Sequence, residues 1–138
     1  MRSIIYAFLI ILNFTSNAQE QKKSDIEQDK LSPLEQYAKK CYLSINGLPK
    51  IIKTFGFDPK NMTKNQNDFM DLYDQSYCDC EALSYHKAGK LSDEIVNLPQ
   101  EKFPEYLRNT QKSDFGKGIF RICDEQAISK AKSKYAKP

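Results

Sequence analysis

The stretch Asn67–Gly89, NDFMDLYDQSYCDCEALSYHKAG, decides the fold. It contains two of the four cysteines of the chain, Cys78 and Cys80, together with the only histidine. Thr63 and Gln66, just upstream, form the pattern of a helix capping box, and the glycine that closes the stretch is a usual helix terminator. The sequence therefore predicts a central helix between these two signals.

The spacing of the two central cysteines indicates how the helix is held. Two residues along an α-helix turn through about 200°, so Cys78 and Cys80 are predicted on opposite sides. A bridge between them would close a very small ring, which disulfide geometry resists. Two pairings remain: Cys41–Cys80 with Cys78–Cys123, or Cys41–Cys78 with Cys80–Cys123. The first is preferred, because Cys41 and Cys80 both lie on the main apolar stripes of their helices.

Apolar residues also recur at helical spacing on both sides of the central helix. A first helix starts at Pro33 and is predicted to break near Asn46-Gly47, where Pro49 follows. Alternating runs long enough to indicate a strand are absent from the sequence. The fold is therefore predicted to be all-α, a small bundle of four to five helices stapled by two disulfides. Further helical segments are predicted at 49–55, 93–98, 104–109 and 117–135.

The first residues of the chain match a secretory signal peptide. Arg2 supplies the positive start, residues 4–12 form an apolar run, and Ser16-Asn17-Ala18 provides a small-x-small cleavage site. The run is well short of the ~20 residues that a spanning helix needs, so no stable membrane insertion is expected after cleavage. Export to the periplasm or the extracellular space would let the four cysteines form two disulfides. The predicted organisation is signal peptide 1–18, flexible leader 19–33, a single helical domain 34–135 and a tail 136–138.

Charge and motif content exclude several classes of function. The formal net charge is only +3, and four of the lysines lie among the last nine residues. The rest of the chain is therefore close to neutral, and no basic surface for nucleic acid is predicted. The sequence lacks the Gly-x-Ser-x-Gly motif of a nucleophilic serine, so His86 is not predicted to belong to a Ser-His-Asp hydrolase site. The carboxylates Asp71, Asp74 and Glu81 are the candidates for a cell-wall hydrolase, but any exposed helix carries such residues. The chain is predicted not to be an enzyme and to need no cofactor or metal.

An alternative interpretation is a periplasmic thiol-redox or soft-metal-binding protein that uses Cys78 and Cys80, with His86 as a further ligand. A redox centre usually has Cys-x-x-Cys at a helix N-terminus, where the helix dipole lowers the thiol pKa. Here a Cys-x-Cys lies in the second half of the predicted helix. A single zinc or copper ion could bind both cysteines only if the helix unwound locally.

The aromatic residues favour a binding function. The chain has eight tyrosines, eight phenylalanines and no tryptophan. Tyr73, Tyr77 and Tyr85 are spread around the central helix, and a small core cannot enclose every tyrosine. Because tyrosine joins a large apolar area to a hydroxyl, exposed tyrosines are favoured at protein interfaces. These three residues are therefore the predicted contacts for a protein partner.

Two short stretches carry a resemblance to a known family. Ser76-Tyr77-Cys78 with Glu81-Ala82, and Ile122-Cys123-Asp124 on the last helix, resemble the small helical periplasmic immunity proteins of type VI secretion amidases. The resemblance covers roughly residues 63–135 and implies a disulfide between Cys78 and Cys123. It also implies that the protein plugs the active site of a toxic cell-wall amidase. Cys41, Cys80 and the first helix have no counterpart in that family.

The hypothesis that follows is a small exported helical protein, stapled by disulfides, that binds and occludes another protein. The partner would be a secreted toxin or a cell-wall enzyme, and the protein would be its immunity protein or an envelope enzyme inhibitor.

Overall fold

The computed structural model describes residues 31–45 and 49–135, and within these ranges the chain is all-α. The predicted fold class is confirmed, with six α-helices in the described residues. The fourth of them is a single turn, and a short 3-10 turn, Gln100–Lys102, precedes the fifth. The helices are α1 Pro33–Ile45, α2 Pro49–Thr54, α3 Lys64–Lys87, α4 Asp93–Val96, α5 Phe103–Thr110 and α6 Asp114–Lys134.

The sequence signals predicted to start and end α3 are both present in the structure. The Thr63 hydroxyl accepts a hydrogen bond from the Gln66 amide at 3.2 Å, and the Gln66 side chain accepts one from the Thr63 amide at 2.9 Å. This capping box satisfies two backbone donors that have no partner inside the helix. Beyond the other end, Gly89 has φ +64, a conformation that favours glycine because it has no Cβ.

The last helix begins earlier than the predicted start near Lys117. Ser113 is its N-cap, and the Ser113 hydroxyl accepts from the Gly116 amide at 3.0 Å. A Cβ built on Gly116 would lie 1.9 Å from the carbonyl oxygen of Thr110, so only glycine lets the first turn of α6 approach α5 this closely. Gly116 and Gly118 therefore lie inside the helix.

Several predictions fall on parts of the chain that the structure does not describe. These are the signal peptide 1–18, most of the leader 19–33, the break near Asn46-Gly47 and the tail 136–138. Within the described ranges, no helix has both the length and the apolar character needed to cross a bilayer.

Helix α3 is the centre of the bundle, packed most extensively against α6 and next against α1. Tyr73 contacts Asp124 and Tyr77 contacts Phe120, so α6 runs antiparallel to α3. Helix α1 is also antiparallel to α3, since Tyr37 stacks on Tyr85 and Cys41 is bonded to Cys78. An α-helix that is covered on two sides must bury more than one apolar stripe.

The disulfides join α3 to both neighbours, but not in the preferred pairing. Cys41 is bonded to Cys78 and Cys80 to Cys123, with S–S distances of 2.04 and 2.02 Å. The preference for Cys41–Cys80 was wrong, and so was the Cys78–Cys123 bridge implied by the family resemblance. The preference for Cys41–Cys80 assumed that α3 has a single apolar stripe, the one that carries Cys80. In the structure the side that carries Cys78 is also buried, and it faces α1. With sequence separations of 37 and 43 residues, each bridge stabilises the fold by about 4 kcal/mol.

A buried lysine joins α1 to the connection after α4. The Lys40 ammonium donates to the carbonyl of Leu98 at 2.7 Å and also to that of Val96. The Gln100 side chain donates in turn to the Lys40 carbonyl at 3.2 Å and to the Ser44 hydroxyl at 3.0 Å. Burial lowers the pKa of Lys40. These bonds satisfy the carbonyls at the end of the one-turn helix α4, which is too short to be stable alone.

Candidate functional site

A column of side chains at four-residue spacing forms the buried line of α3. Four of its members are aromatic, the fifth is a glutamate, and all are at most 4% exposed. The column consists of Phe69, Tyr73, Tyr77, Glu81 and Tyr85. The three tyrosines predicted to contact a partner are therefore core residues. This expectation is corrected by the structure, because the neighbouring elements cover this line and only an edge of Tyr85, 4% exposed, reaches an open groove.

The hydroxyls of the column find polar partners inside the fold. The Tyr73 hydroxyl donates to the Asp124 carboxylate at 2.7 Å, and the Gln111 side chain donates to the Tyr77 hydroxyl at 3.2 Å. Burial raises the pKa of both tyrosines, and the Asp124 carboxylate raises that of Tyr73 further. Both hydroxyls therefore remain protonated and serve as structural hydrogen-bonding groups.

Glu81 lies in the middle of a group of four tyrosines from three helices: Tyr37 of α1, Tyr77 and Tyr85 of α3, and Tyr106 of α5. Its side chain is 2% exposed. Burial raises the pKa of Glu81 to about 7, against the opposing effect of hydrogen bonding with Tyr77 and Tyr37. A buried carboxyl is protonated more easily because the low-dielectric interior disfavours its charge.

The Glu81 carboxyl also touches the Cys41–Cys78 disulfide. One carboxyl oxygen lies 3.6 Å from Sγ of Cys41, and this sulfur carries no proton because it is bonded to Cys78. The Tyr37 hydroxyl lies beside both Glu81 and Tyr106, and it has no partner at full hydrogen-bonding geometry among the described residues. This group of four tyrosines and Glu81, the tyrosine–glutamate cluster, is the main concentration of polar chemistry in the core.

The candidate reactive residues do not converge. Sγ of Cys78 and Sγ of Cys80 are bonded to different helices, and His86 is exposed on the last turn of α3. Within the described residues no group of three or more His, Cys, Asp or Glu side chains could hold a metal ion. Asp71 and Glu81 are ten residues apart on α3, about 15 Å along the axis. For this pair the separation is larger than the ~5–9.5 Å between the two carboxylates of a glycosidase. Asp71 and Asp74 are neighbours three residues apart on α3, but Asp74 is buried whereas Asp71 is exposed.

One open groove of about 440 Å³ is lined by residues that include Tyr85 of α3, Tyr106 of α5 and Phe115 of α6. Further open surface lies along α1. A groove of about 370 Å³ lies between α1 and α3, and a second, of about 360 Å³, is also lined by Ile52 of α2 and by Pro59 and Met62. Tyr42 lines both of them. The Tyr42 hydroxyl donates to the Asp71 carboxylate, which also accepts from the Gln75 side chain at 2.9 Å. Leu43, next to Tyr42, is 50% exposed, the most exposed large apolar side chain of the described residues.

We name this surface, Tyr42 and Leu43 of α1 with Asp71, Gln75 and Asp79 of α3, the Tyr42 face. Asp71 and Asp79 are exposed, and neither makes an ion pair within the described ranges. Hydrogen bonding to Asp71 raises the pKa of Tyr42, so this half-buried hydroxyl stays protonated. The face thus combines a fixed aromatic ring, an exposed leucine and two unneutralised carboxylates.

Sequence reasoning missed both the buried glutamate and the Tyr42 face, although a signal existed for each. Glu81 stands four residues after Tyr77 and four before Tyr85, so it shares their line on a helix. Tyr42 follows Cys41, which is on the buried stripe of α1, and therefore lies at the edge of that stripe.

Comparison with known proteins identifies no relative: no family model, no curated protein and no solved structure matches this chain.

Proposed function

We propose that this chain is an exported binding protein that occludes another protein, with no catalytic activity of its own. The supporting observation is the division between its interior and its surface. The four sulfurs and Glu81 are used inside the bundle, where they cross-link or pack the helices. The Tyr42 face has the grooves, exposed apolar side chain and unpaired charges that protein interfaces use.

The concrete form that we propose is a toxin immunity protein or an inhibitor of an envelope enzyme. A small domain held by two disulfides presents its surface without large rearrangement, which limits the entropy lost on binding. Two disulfides are also consistent with an exported protein, because they persist in oxidising compartments. The family resemblance over residues 63–135 is the reason for proposing a secreted cell-wall amidase as partner, although Cys78 is bonded to Cys41 and not to Cys123 as the resemblance implies.

The test is capture followed by inhibition. The tagged protein, expressed with its disulfides formed, is incubated with an envelope extract of the producing organism, and bound proteins are identified by mass spectrometry. We expect one partner in stoichiometric amount, whose enzymatic activity is lost when the two purified proteins are mixed at equal concentration. For an amidase, the activity is release of peptides from purified peptidoglycan.

Two results would contradict the proposal. One is the absence of any stoichiometric partner, and the other is a partner whose activity is unchanged by saturating amounts of the protein. Hydrolysis of peptidoglycan by the chain alone would instead identify it as an enzyme.

A further inference from the structure

The charges of this protein are unevenly distributed between helix α6 and the grooves beside Tyr42. The chain has a formal net charge of +3, and α6 carries a series of exposed basic side chains. The described residues that line the two grooves beside Tyr42 include the exposed acids Glu35 and Asp79, the buried acid Asp74 and a single base, Lys39. The Tyr42 face is thus locally acidic on a weakly basic protein.

The two carboxylates of this face, neither of which makes an ion pair within the described residues, have a defined spacing. Asp71 and Asp79 are eight residues apart on α3, which is about 12 Å along the helix axis. Gln75 lies between them on the same line and donates to Asp71 at 2.9 Å. Because both residues lie within the continuous helix Lys64–Lys87, the helix geometry itself holds this spacing.

An apolar site lies beside the two carboxylates. The groove of about 370 Å³ is lined by the apolar Leu34 and Ala38 of α1 and the ring of Tyr42, together with Glu35, Lys39, Gln75, Cys78 and Asp79. The hydrogen bond to Asp71 holds the Tyr42 ring between this groove and its neighbour. An aliphatic or aromatic side chain of a partner inserted there would be buried from solvent. Residues next to it on the partner would then reach the two carboxylates. A buried anchor surrounded by polar contacts is the usual arrangement of a protein interface.

We propose that the Tyr42 face binds a basic segment of the partner protein, in which two lysine or arginine side chains about 12 Å apart flank an apolar anchor. The cations would pair with Asp71 and Asp79, and the anchor would fill the groove beside Tyr42. This inference rests on the proposed binding function, to which it adds the contact surface and the chemistry of the partner. A helix with two cations two turns apart has the required spacing.

The probe is a capped helical peptide with two lysines two turns apart and leucines on the same face between them. Its matched control has glutamates in place of the lysines. Each is titrated into the ¹⁵N-labelled protein, and amide shifts are followed by NMR. We expect the lysine peptide to shift the amides of the Tyr42 face, with a Kd that weakens as salt screens the charges. The glutamate peptide should leave these amides unchanged.

Variants then assign the binding to the two carboxylates. Asp71→Lys/Asp79→Lys should weaken the Kd of the lysine peptide about tenfold or more, because attraction becomes repulsion. Asp71→Asn/Asp79→Asn removes the charges but keeps an acceptor for Tyr42, and it should weaken binding less. Glu94→Lys/Glu125→Lys, on exposed positions of α4 and α6, is the control for net charge and should leave the Kd unchanged. Thermal melts establish that each variant is folded.

The inference is overturned if the lysine peptide causes no shifts, shifts another surface, or binds Asp71→Lys/Asp79→Lys as tightly as the unmodified protein. These results are separate from the capture experiment. If the protein captures and inhibits a partner, and the double lysine variant does so equally well, the binding function stands and the assigned surface is wrong. If the unmodified protein inhibits no captured partner, the binding function fails, and the titration still decides whether the face binds basic segments.

Discussion

Cys78 and Cys80 are separated by one residue of α3, and their sulfurs bind helices on different sides of it. Cys78 is bonded to α1 and is 1% exposed, with its partner Cys41 fully buried. Cys80 is bonded to α6 and is half-buried, although its partner Cys123 is fully buried. The two bridges therefore differ in how far a reagent can reach them.

We expect the two disulfides to be reduced in a fixed order. Thiol–disulfide exchange requires access of the attacking thiolate to a sulfur, so limiting reductant should open Cys80–Cys123 before Cys41–Cys78. The released thiols are alkylated and the chain is cut by a protease that cleaves before aspartate. Cleavage between Cys78 and Asp79 separates the two central cysteines, so mass spectrometry reports each bridge independently.

The same digest of the unreduced protein tests the pairing itself. A peptide containing Cys41 should remain linked to the peptide that ends at Cys78. In denaturant, where both bridges are exposed, the two rates of reduction should become similar. Earlier labelling of Cys41 and Cys78 in the folded protein would contradict the burial described above.

The disulfide pairing shows where sequence reasoning reached its limit. The capping box at Thr63 and the glycine at Gly89 are local signals, and the structure has both. The pairing depends on which side of α3 faces which neighbour, and this is decided by packing between segments far apart in sequence. The prediction placed only Cys80 on the buried stripe of α3. Because α3 is covered on two sides, Cys78 is buried as well.

We expect the free energy of unfolding to fall as the pH rises from about 4.5 to about 7, because of Glu81. Its pKa rises from 4.5 in the unfolded chain to about 7 in the fold, so within this window the folded state binds a proton that the unfolded state has released. Stability is then lost with increasing pH, by about 3 kcal/mol in total. Chemical denaturation at a series of pH values measures the slope.

Glu81→Gln should remove this pH dependence, because the amide keeps the shape of the side chain and does not titrate. The variant should be more stable than the unmodified protein at pH 8 and comparable at pH 4. Asp79→Asn, two residues away on the exposed side of α3, is the matched control and should retain the slope. An unchanged slope in Glu81→Gln would mean that another group titrates.

Lys40 should be important for stability, whereas its neighbour Lys39 should not. Lys40→Met keeps the length of the side chain but leaves the carbonyls of Val96 and Leu98 without their donor. We expect a loss of about 1–3 kcal/mol in the free energy of unfolding. Lys39→Met changes an exposed residue of the same type and should stay within about 0.5 kcal/mol. Equal effects in urea unfolding would show that the buried hydrogen bonds contribute nothing specific.

Two glycines of α6 should respond to alanine in opposite directions. In Gly116→Ala the new Cβ would meet the Thr110 carbonyl at 1.9 Å, so the contact between α5 and α6 must open. We expect a destabilisation of about 1–3 kcal/mol from this overpacking. At Gly118 a Cβ meets no atom within 4 Å, and alanine should stabilise the helix by about 1 kcal/mol. Thermal melts of the two variants provide the comparison.

The candidate site was the part least accessible from sequence. Tyr73, Tyr77 and Tyr85 were predicted as contacts because tyrosines are frequent at interfaces, but the neighbours of α3 cover all three. Tyr42 has the same residue type and stays half-buried, since it lies at the edge of the contact between α1 and α3. A charged residue such as Glu81 is ordinarily read as exposed, and its burial follows from the arrangement of tyrosines on three helices.

The order of the four cysteines along the chain also determines how the protein carries tension. The bridges are consecutive and do not overlap, since one ends at Cys78 and the next begins at Cys80. A force that pulls on the two ends therefore passes from Cys41 to Cys78, across Asp79, and from Cys80 to Cys123. The segments enclosed by the bridges, with sequence separations of 37 and 43 residues, bear none of it. Most of α3 and the whole of α2, α4 and α5 are thus mechanically shielded, and the oxidised chain could be extended only by its outer segments.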